Sequence, residues 1–366
     1  MTPTPKKPGG HSLLPGQTPE GKFIMAVLLK RSYAIVPSGV CVRAENDKPL
    51  FGGDKHFGDP LNTTVRYEAD FIPYKLATDV VLNGTAFAPQ GKQVREMTAS
   101  LQIGQVKKEV KIIGDRQCKY RAAADPVFGD PAPFTQMELR YERAFGGVDV
   151  YTHPLCQYIY PRNHLGKGFA LTNTKATIEG LELPNIEDPN DLLTPARMCV
   201  GKIENWPKLP VPTGFGWYVK YWHPRAGWAG LLPADKPTEA MLRAEFGKLL
   251  TPEHKALYDA HPLPTVDFRF FNGASPGLAV PYLSGDETVR LTNLTPDGSL
   301  VFQLPGDRPA ITLDLGDGPK EVKVEMHTVQ IRTGENEIDL VWRAAFPYPG
   351  PDWLPEMKKA DVTVNG

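Results

Sequence analysis

The stretch "GASPG" at 273–277 fits G-x-S-x-G, and Ser275, Asp286 and His327 follow one another in the chain order of a Ser-Asp-His triad. Such a motif works when the serine sits at a strand-to-helix turn and the next residue donates its backbone N–H to an oxyanion hole. Here the next residue is Pro276, which has no N–H, and no helix-forming stretch follows. A serine hydrolase using Ser275 is therefore the alternative reading, and a Gly/Pro turn between Phe271 and Tyr282 the simpler one.

A second candidate is "YPRNHLGKGF" at 160–169, rich in glycine with a central lysine. A phosphate-binding P-loop needs G-x-x-x-x-G-K-[ST], so that backbone amides wrap the phosphates and a hydroxyl reaches magnesium. Lys167 is instead followed by Gly168, and no glycine stands five positions before Gly166. A shaped turn follows, with Gly166 and Gly168 in φ values denied to other residues and Phe169 anchoring the loop on the core.

Metal chemistry finds little support. H-E-x-x-H is absent, His153 and Cys156 form H-x-x-C without two further ligands, and His254 and His261 stand seven apart. No metal and no cofactor is expected. The carboxylate pairs Glu187–Asp188 and Asp286–Glu287 are adjacent, which on a strand sends them to opposite faces. Four of the six tryptophans, Trp206, Trp217, Trp222 and Trp228, lie close together with Phe215, Tyr218 and Tyr221 between them. They suit a sugar-stacking platform, a protein-binding hot spot or a local core; about half are expected in the core, since large aromatics are on average highly buried.

The elements that must carry these residues read mainly as β. Residues 1–21 hold little apolar surface and are expected as a flexible tail. From 22 to 150 a β-rich domain is expected, with apolar runs at 23–36, 64–72 and 80–88 and two alternating segments, "ASLQIG" and "KKEVKII", turning at Gly104–Gln105. Residues 151–270 form a loop-rich, aromatic-studded region whose helical signal near 237–260 rests on Pro237, Met241, Leu242, Phe246, Leu249 and Leu250. In 271–346, Leu300/Phe302/Leu304, Ile311/Leu313/Leu315, Val322/Val324/Met326 and Ile338/Leu340/Trp342 alternate with polar residues, with "TPDGS" and "GDGPK" as turns. This predicts an antiparallel meander belonging to a β-sandwich, and 347–366 is expected as a tail. The fold class is antiparallel β-sandwich-like domains with long Pro/Gly-rich loops.

Across 366 residues, 41 basic against 42 acidic side chains leave no electrostatic footprint for nucleic acid. The 37 prolines are near twice the usual share of about 5%. Cys41, Cys118, Cys156 and Cys199 form no C-x-x-C, as expected of reduced thiols. The longest apolar run, "FIMAVLL" at 23–29, is far short of the roughly 20 residues that span a bilayer. A soluble, cytoplasmic protein without membrane contact is expected.

Taken in order, "GDRQCKY" (114–120), "YERAFGG" (141–147), "YPRNHLGKGF" (160–169), "LPNIEDP" (183–189), "PTGFGWY" (212–218), "LSGDETVRLTNLTPDGSLVFQLP" (283–305) and "DLVWRA" (339–344) resemble a bacterial domain-of-unknown-function family encoded in type VI secretion loci. Its genes lie beside those for VgrG-type spike proteins, PAAR-tip proteins and toxins. The resemblance spans roughly 22–345. It implies a non-enzymatic adaptor or chaperone that helps load a toxic effector, often PAAR-fused, onto the VgrG spike. Carried onto this sequence, the motif positions are Glu142, Arg143, Phe145, Gly146 and Gly147; Asn163, Gly166, Gly168 and Phe169; Pro184, Asn185 and Glu187; Gly214 and Phe215. With Trp217 and Trp222 they form the candidate protein-binding set, and no catalytic role attaches to any. Two departures stand out: His164, where proline is more usual, and 226–265, where "AGWAGLLPADKPTEAMLRAEFG" replaces a Gly-Thr-Tyr-Asp type segment.

Overall fold

The computed structural model describes residues 10–229, 266–314, 318–347 and 361–365. Two sheets face each other across one apolar core, giving a mainly β, sandwich-like fold with a few short helices. The larger sheet runs, from one edge, His11–Gln17, Phe23–Ile35, Glu337–Pro347, Val324–Arg332, Thr78–Asn83 and Ala279–Val280, with Cys41–Arg43 also paired to Phe23–Ile35. The smaller runs Ile186–Glu187, Val106–Ile113, Glu96–Ile103, Thr288–Thr292 and Ser299–Gln303. Pairing is antiparallel except where Thr78–Asn83 lies parallel to Thr328–Arg332.

Alternation explains the packing. Met25, Val27, Leu29 and Tyr33 point from the larger sheet into the core, where Leu101, Val110, Ile112, Val289, Leu291 and Phe302 of the smaller sheet meet them. The hairpin predicted around Gly104 is present, pairing Glu96–Ile103 with Val106–Ile113, and Gly104 takes a φ of 53°. The opposite face of the larger sheet is also covered, but by polar contacts. Lys30 meets Asp70 at 2.8 Å, Ser32 donates to Asp339 at 2.6 Å, and Arg332 pairs with Glu335, Glu337 and Asp339.

Several expectations change. The 1–21 stretch contains the strand His11–Gln17, paired along its whole length with Phe23–Leu29. Leu13 packs on the core, and Pro15 is accommodated because the strand is an edge. The 347–366 stretch likewise contributes a strand, Asp361–Asn365, paired with Ala310–Asp314. The expected meander is not one sheet. Thr288–Thr292 and Ser299–Gln303 join the smaller sheet, Ala310–Asp314 and Pro319–Glu321 form a third with Asp361–Asn365, and Val324–Arg332 and Glu337–Pro347 join the larger. Both main sheets draw on 22–150 and on 271–346, since Phe23–Ile35 pairs with Glu337–Pro347. The helical signal near 237–260 lies outside the described residues. Among those described, the α-helices Lys175–Ile178 and Arg225–Trp228 are one turn each, and none is long and apolar enough to cross a membrane.

Candidate protein-docking site

Four of the seven signature segments, those within 114–189, meet in space beside the edge of the smaller sheet. Ile186–Glu187 pairs with Lys111–Ile112, Ala144 bridges Ile186, and Phe145–Gly146 runs parallel to Lys167–Gly168. Gln117 bridges Glu182, so "GDRQCKY" is tied in as well.

Buried polar side chains hold this junction. Asn163 is fully enclosed; its amide donates to the Tyr141 and Phe145 carbonyls at 2.8 and 3.0 Å, and its oxygen accepts from Leu165 N–H at 3.1 Å. Asn185, equally enclosed, donates to the Ile113 carbonyl at 3.0 Å and to Asp115 at 2.9 Å, while Arg143 reaches its oxygen at 3.4 Å. Glu142 accepts from both the amide and hydroxyl of Thr64 at 2.9 Å. Glu187 pairs with Arg116 at 2.5 Å and accepts from Leu193 N–H at 2.6 Å; burial pushes its carboxyl up, against those partners. Every one of these groups supplies a hydrogen bond that a loop backbone needs once water is excluded.

The glycines act in two ways. Gly168 has a φ of +92°, as expected, and a Cβ there would also press on Pro184. Gly166 does not take a positive φ: it is required by close approach, since a Cβ would come within 2.5 Å of both the Ala144 carbonyl and the Asn163 amide nitrogen. Phe169 and Phe145 anchor the loops through Tyr160 in a second apolar cluster that also holds Leu183, Met198 and Trp206.

"PTGFGWY" packs against the back of "YERAFGG". A Cβ added at Gly214 would meet only the Tyr141 ring, at ordinary contact distance, and Phe215 is fully buried with its carbonyl accepting from Leu82 N–H. Trp222 stands edge-on to Tyr141 and Tyr218 at 5.3 and 5.4 Å and donates its indole N–H to His164 at 3.0 Å, which gives His164 a place in the packing. Trp206, Trp217 and Trp222 are at most 4% exposed, so they are core rather than a stacking platform; Trp228 is half-buried under the Arg269 guanidinium. Most of the sequence-selected set is thus interior and cannot itself touch a rigid partner.

What the signatures build at the surface is a different matter. Gly146, Gly147, Gly166 and Gly168 floor an open cleft of about 350 Å³, walled by Val148 and Tyr151 of one segment and by Ala176, Glu179 and Glu182 of another. Beside it stands a hairpin, Val148–His153 paired with Cys156–Ile159 around Pro154–Leu155. Its inner face is fastened by Asp149, which accepts from Tyr151, Thr152 and Leu171 N–H groups, and by Tyr158 packed on the second cluster. Its outer face presents Val148, Val150 and Ile159; Tyr151, within the first strand, is 67% exposed, and Leu155, at the tip, 88%. Large exposed apolar patches mark interaction sites, and these five side chains stand on one hairpin. The signal was present in "VDVYTHPLCQYIY", where valines alternate with polar residues and no charged side chain other than Asp149 occurs.

The triad read from "GASPG" is not assembled. Ser275 is fully enclosed, and its hydroxyl accepts from Lys108 Nζ at 2.6 Å, a donor that also serves the Pro276 carbonyl at 2.7 Å. Burial pushes the Lys108 ammonium down to about 7. Asp286 is paired with Arg308 at 3.4 Å, and His327 is buried on the larger sheet, pushed well below its ordinary value by burial and by the cations Arg343 and Lys75. Lysine beside serine is a chemically competent pair. Here Ser275 is closed off from solvent and Pro276 has no N–H to offer. No group of three His, Cys, Asp or Glu side chains that could hold a metal occurs among the described residues.

The chain is thus a mainly β, sandwich-like protein with a loop-built, partly apolar surface. The chain belongs to the bacterial family described as "Uncharacterized protein conserved in bacteria (DUF2169)", which matches residues 20–343. No curated protein and no solved structure matches it.

Proposed function

We propose that this protein is a non-enzymatic adaptor that binds a type VI secretion effector, PAAR-containing, in the cytoplasm of the producing cell and assists its loading onto the VgrG spike. The observation that carries the binding part is the exposed apolar hairpin beside the glycine-floored cleft, positioned by the same signature segments that suggest the secretion-locus family. On this reading the signature residues act indirectly. Asn163, Asn185, Glu142, Glu187 and the glycines fix the loops so that Val148, Val150, Tyr151, Leu155 and Ile159 stand preformed, which lowers the ordering cost of association.

Deleting the gene in its native host is expected to abolish delivery of one neighbouring toxin while the sheath and tube still fire. Unchanged delivery of every neighbouring toxin rejects the adaptor reading.

A further inference from the structure

The cleft has a charge as well as a shape. Lys167 is its only cation, and it is already committed to Glu182 at 2.9 Å. Glu179, on the same wall, accepts from the Tyr120 N–H at 2.9 Å and has no cationic partner among the described ion pairs. One carboxylate is therefore left without a paired cation in a glycine-floored cleft that the exposed ring of Tyr151 also lines. An aromatic face and a nearby carboxylate together favour a cation, which gains from the ring quadrupole and from the opposite charge. The adjoining hairpin face offers Val148, Val150 and Ile159, which favour apolar partners.

We infer, resting on the adaptor reading, that the partner docks through a polypeptide segment whose lysine or arginine enters the cleft beside Glu179 and Tyr151 while its flanking apolar side chains cover the hairpin face. The long aliphatic stem of such a residue suits this site, because it can lie along the ring and keep its charge at the carboxylate.

The probe is a phage-displayed library of random dodecapeptides selected on the full-length protein. The selected sequences are expected to carry a basic residue flanked by apolar ones. The best of them, made as a fluorescent peptide, is expected to bind about tenfold more weakly to Glu179→Gln, and by a similar factor to Val150→Ser. Glutamine at 179 retains the acceptor for Tyr120, so loss of affinity without a change in thermal midpoint reports the charge. Selection of acidic or charge-indifferent sequences, no enrichment at all, or unchanged binding to either variant overturns the assignment. The two readings fail separately. Lost toxin delivery in the deletion strain with no basic–apolar enrichment leaves the adaptor and removes this segment chemistry. Intact delivery with the expected peptide binding does the reverse.

Discussion

The sandwich and the loop layer over 114–229 are stabilised by different kinds of contact. In the sandwich, Val27, Leu29, Leu101 and Val289 are interchangeable in kind: each contributes apolar area, and its neighbours can shift to fill small gaps. In the loop layer the decisive groups are single polar side chains and bare backbone, such as Asn163 reaching two carbonyls and Gly166 lying where no Cβ fits. Apolar packing is graded and tolerant. Polar satisfaction is all-or-none, because a buried group either has its partner or bears the full desolvation cost.

The largest effect is expected at the 272–274 segment, whose Ala274 bridges Trp217 of the loop layer and which the sandwich holds through one carboxylate. Asp79, on strand Thr78–Asn83, is fully buried and takes Lys75 Nζ at 2.6 Å, Asn272 at 3.2 Å and the Gly273 and Ala274 amides at 3.1 Å. Asp79→Ala strands a buried lysine and two amides, and should cost about 4 kcal/mol in urea unfolding. A loss near that of an exposed substitution would show that water replaces the carboxylate and would blunt the contrast.

Next comes the direct comparison. Asn163→Ala leaves the Phe145 carbonyl and the Leu165 amide unpaired, takes one of two donors from the Tyr141 carbonyl, and should cost about 3 kcal/mol. Leu29→Met, also at a wholly buried position, should cost under about 1.5 kcal/mol. Equal losses would mean that the loop layer is as forgiving as the sheets. Within the loop layer, Gly166→Ala should cost about 2 kcal/mol, since the new methyl meets backbone at 2.5 Å. Gly214→Ala, whose methyl would meet only the Tyr141 ring at 3.6 Å, should stay within about 0.5 kcal/mol.

This division also explains what could be read from the sequence. An apolar run located Phe23–Ile35, and alternation the Gly104 hairpin and the strands after Glu287, because a face buried on a sheet must repeat every second residue. It could not say which strand is a neighbour. The pairing of Phe23–Ile35 with Glu337–Pro347, and the dispersal of the C-terminal strands over three sheets, depend on contacts across the whole chain. The edge strands His11–Gln17 and Asp361–Asn365 lacked enough apolar signal to stand out. In the loop layer the motif residues were recognisable by type, but their burial was not. A glutamate or asparagine that caps a hidden loop and one that meets a partner look alike until the backbone around them is known. The exposed hairpin was passed over because 151–270 reads as loop-rich, and a strand exposed on one side carries no buried face to mark it.

Acid should separate the regions by a smaller margin. His223 lies against Trp206 in the loop layer at 5.5 Å, with both ring nitrogens unpaired. Burial, with Arg162 nearby, pushes it down to about 4. The folded state resists the proton that the unfolded chain takes up near 6.5, so stability is fully present above that value and is lost as pH falls from about 6.5 toward 4. His327 in the sandwich shifts in the same direction. Lowering the pH from 7.5 to 5.5 should therefore destabilise the protein, and His223→Gln should remove about 1.4 kcal/mol of that loss, the share of one histidine over one pH unit below 6.5. Urea midpoints of the two proteins at both pH values measure it. Parallel losses in wild type and variant would show that His223 finds a proton-accepting partner, water included, and that the loop layer is more open at this point than its packing implies.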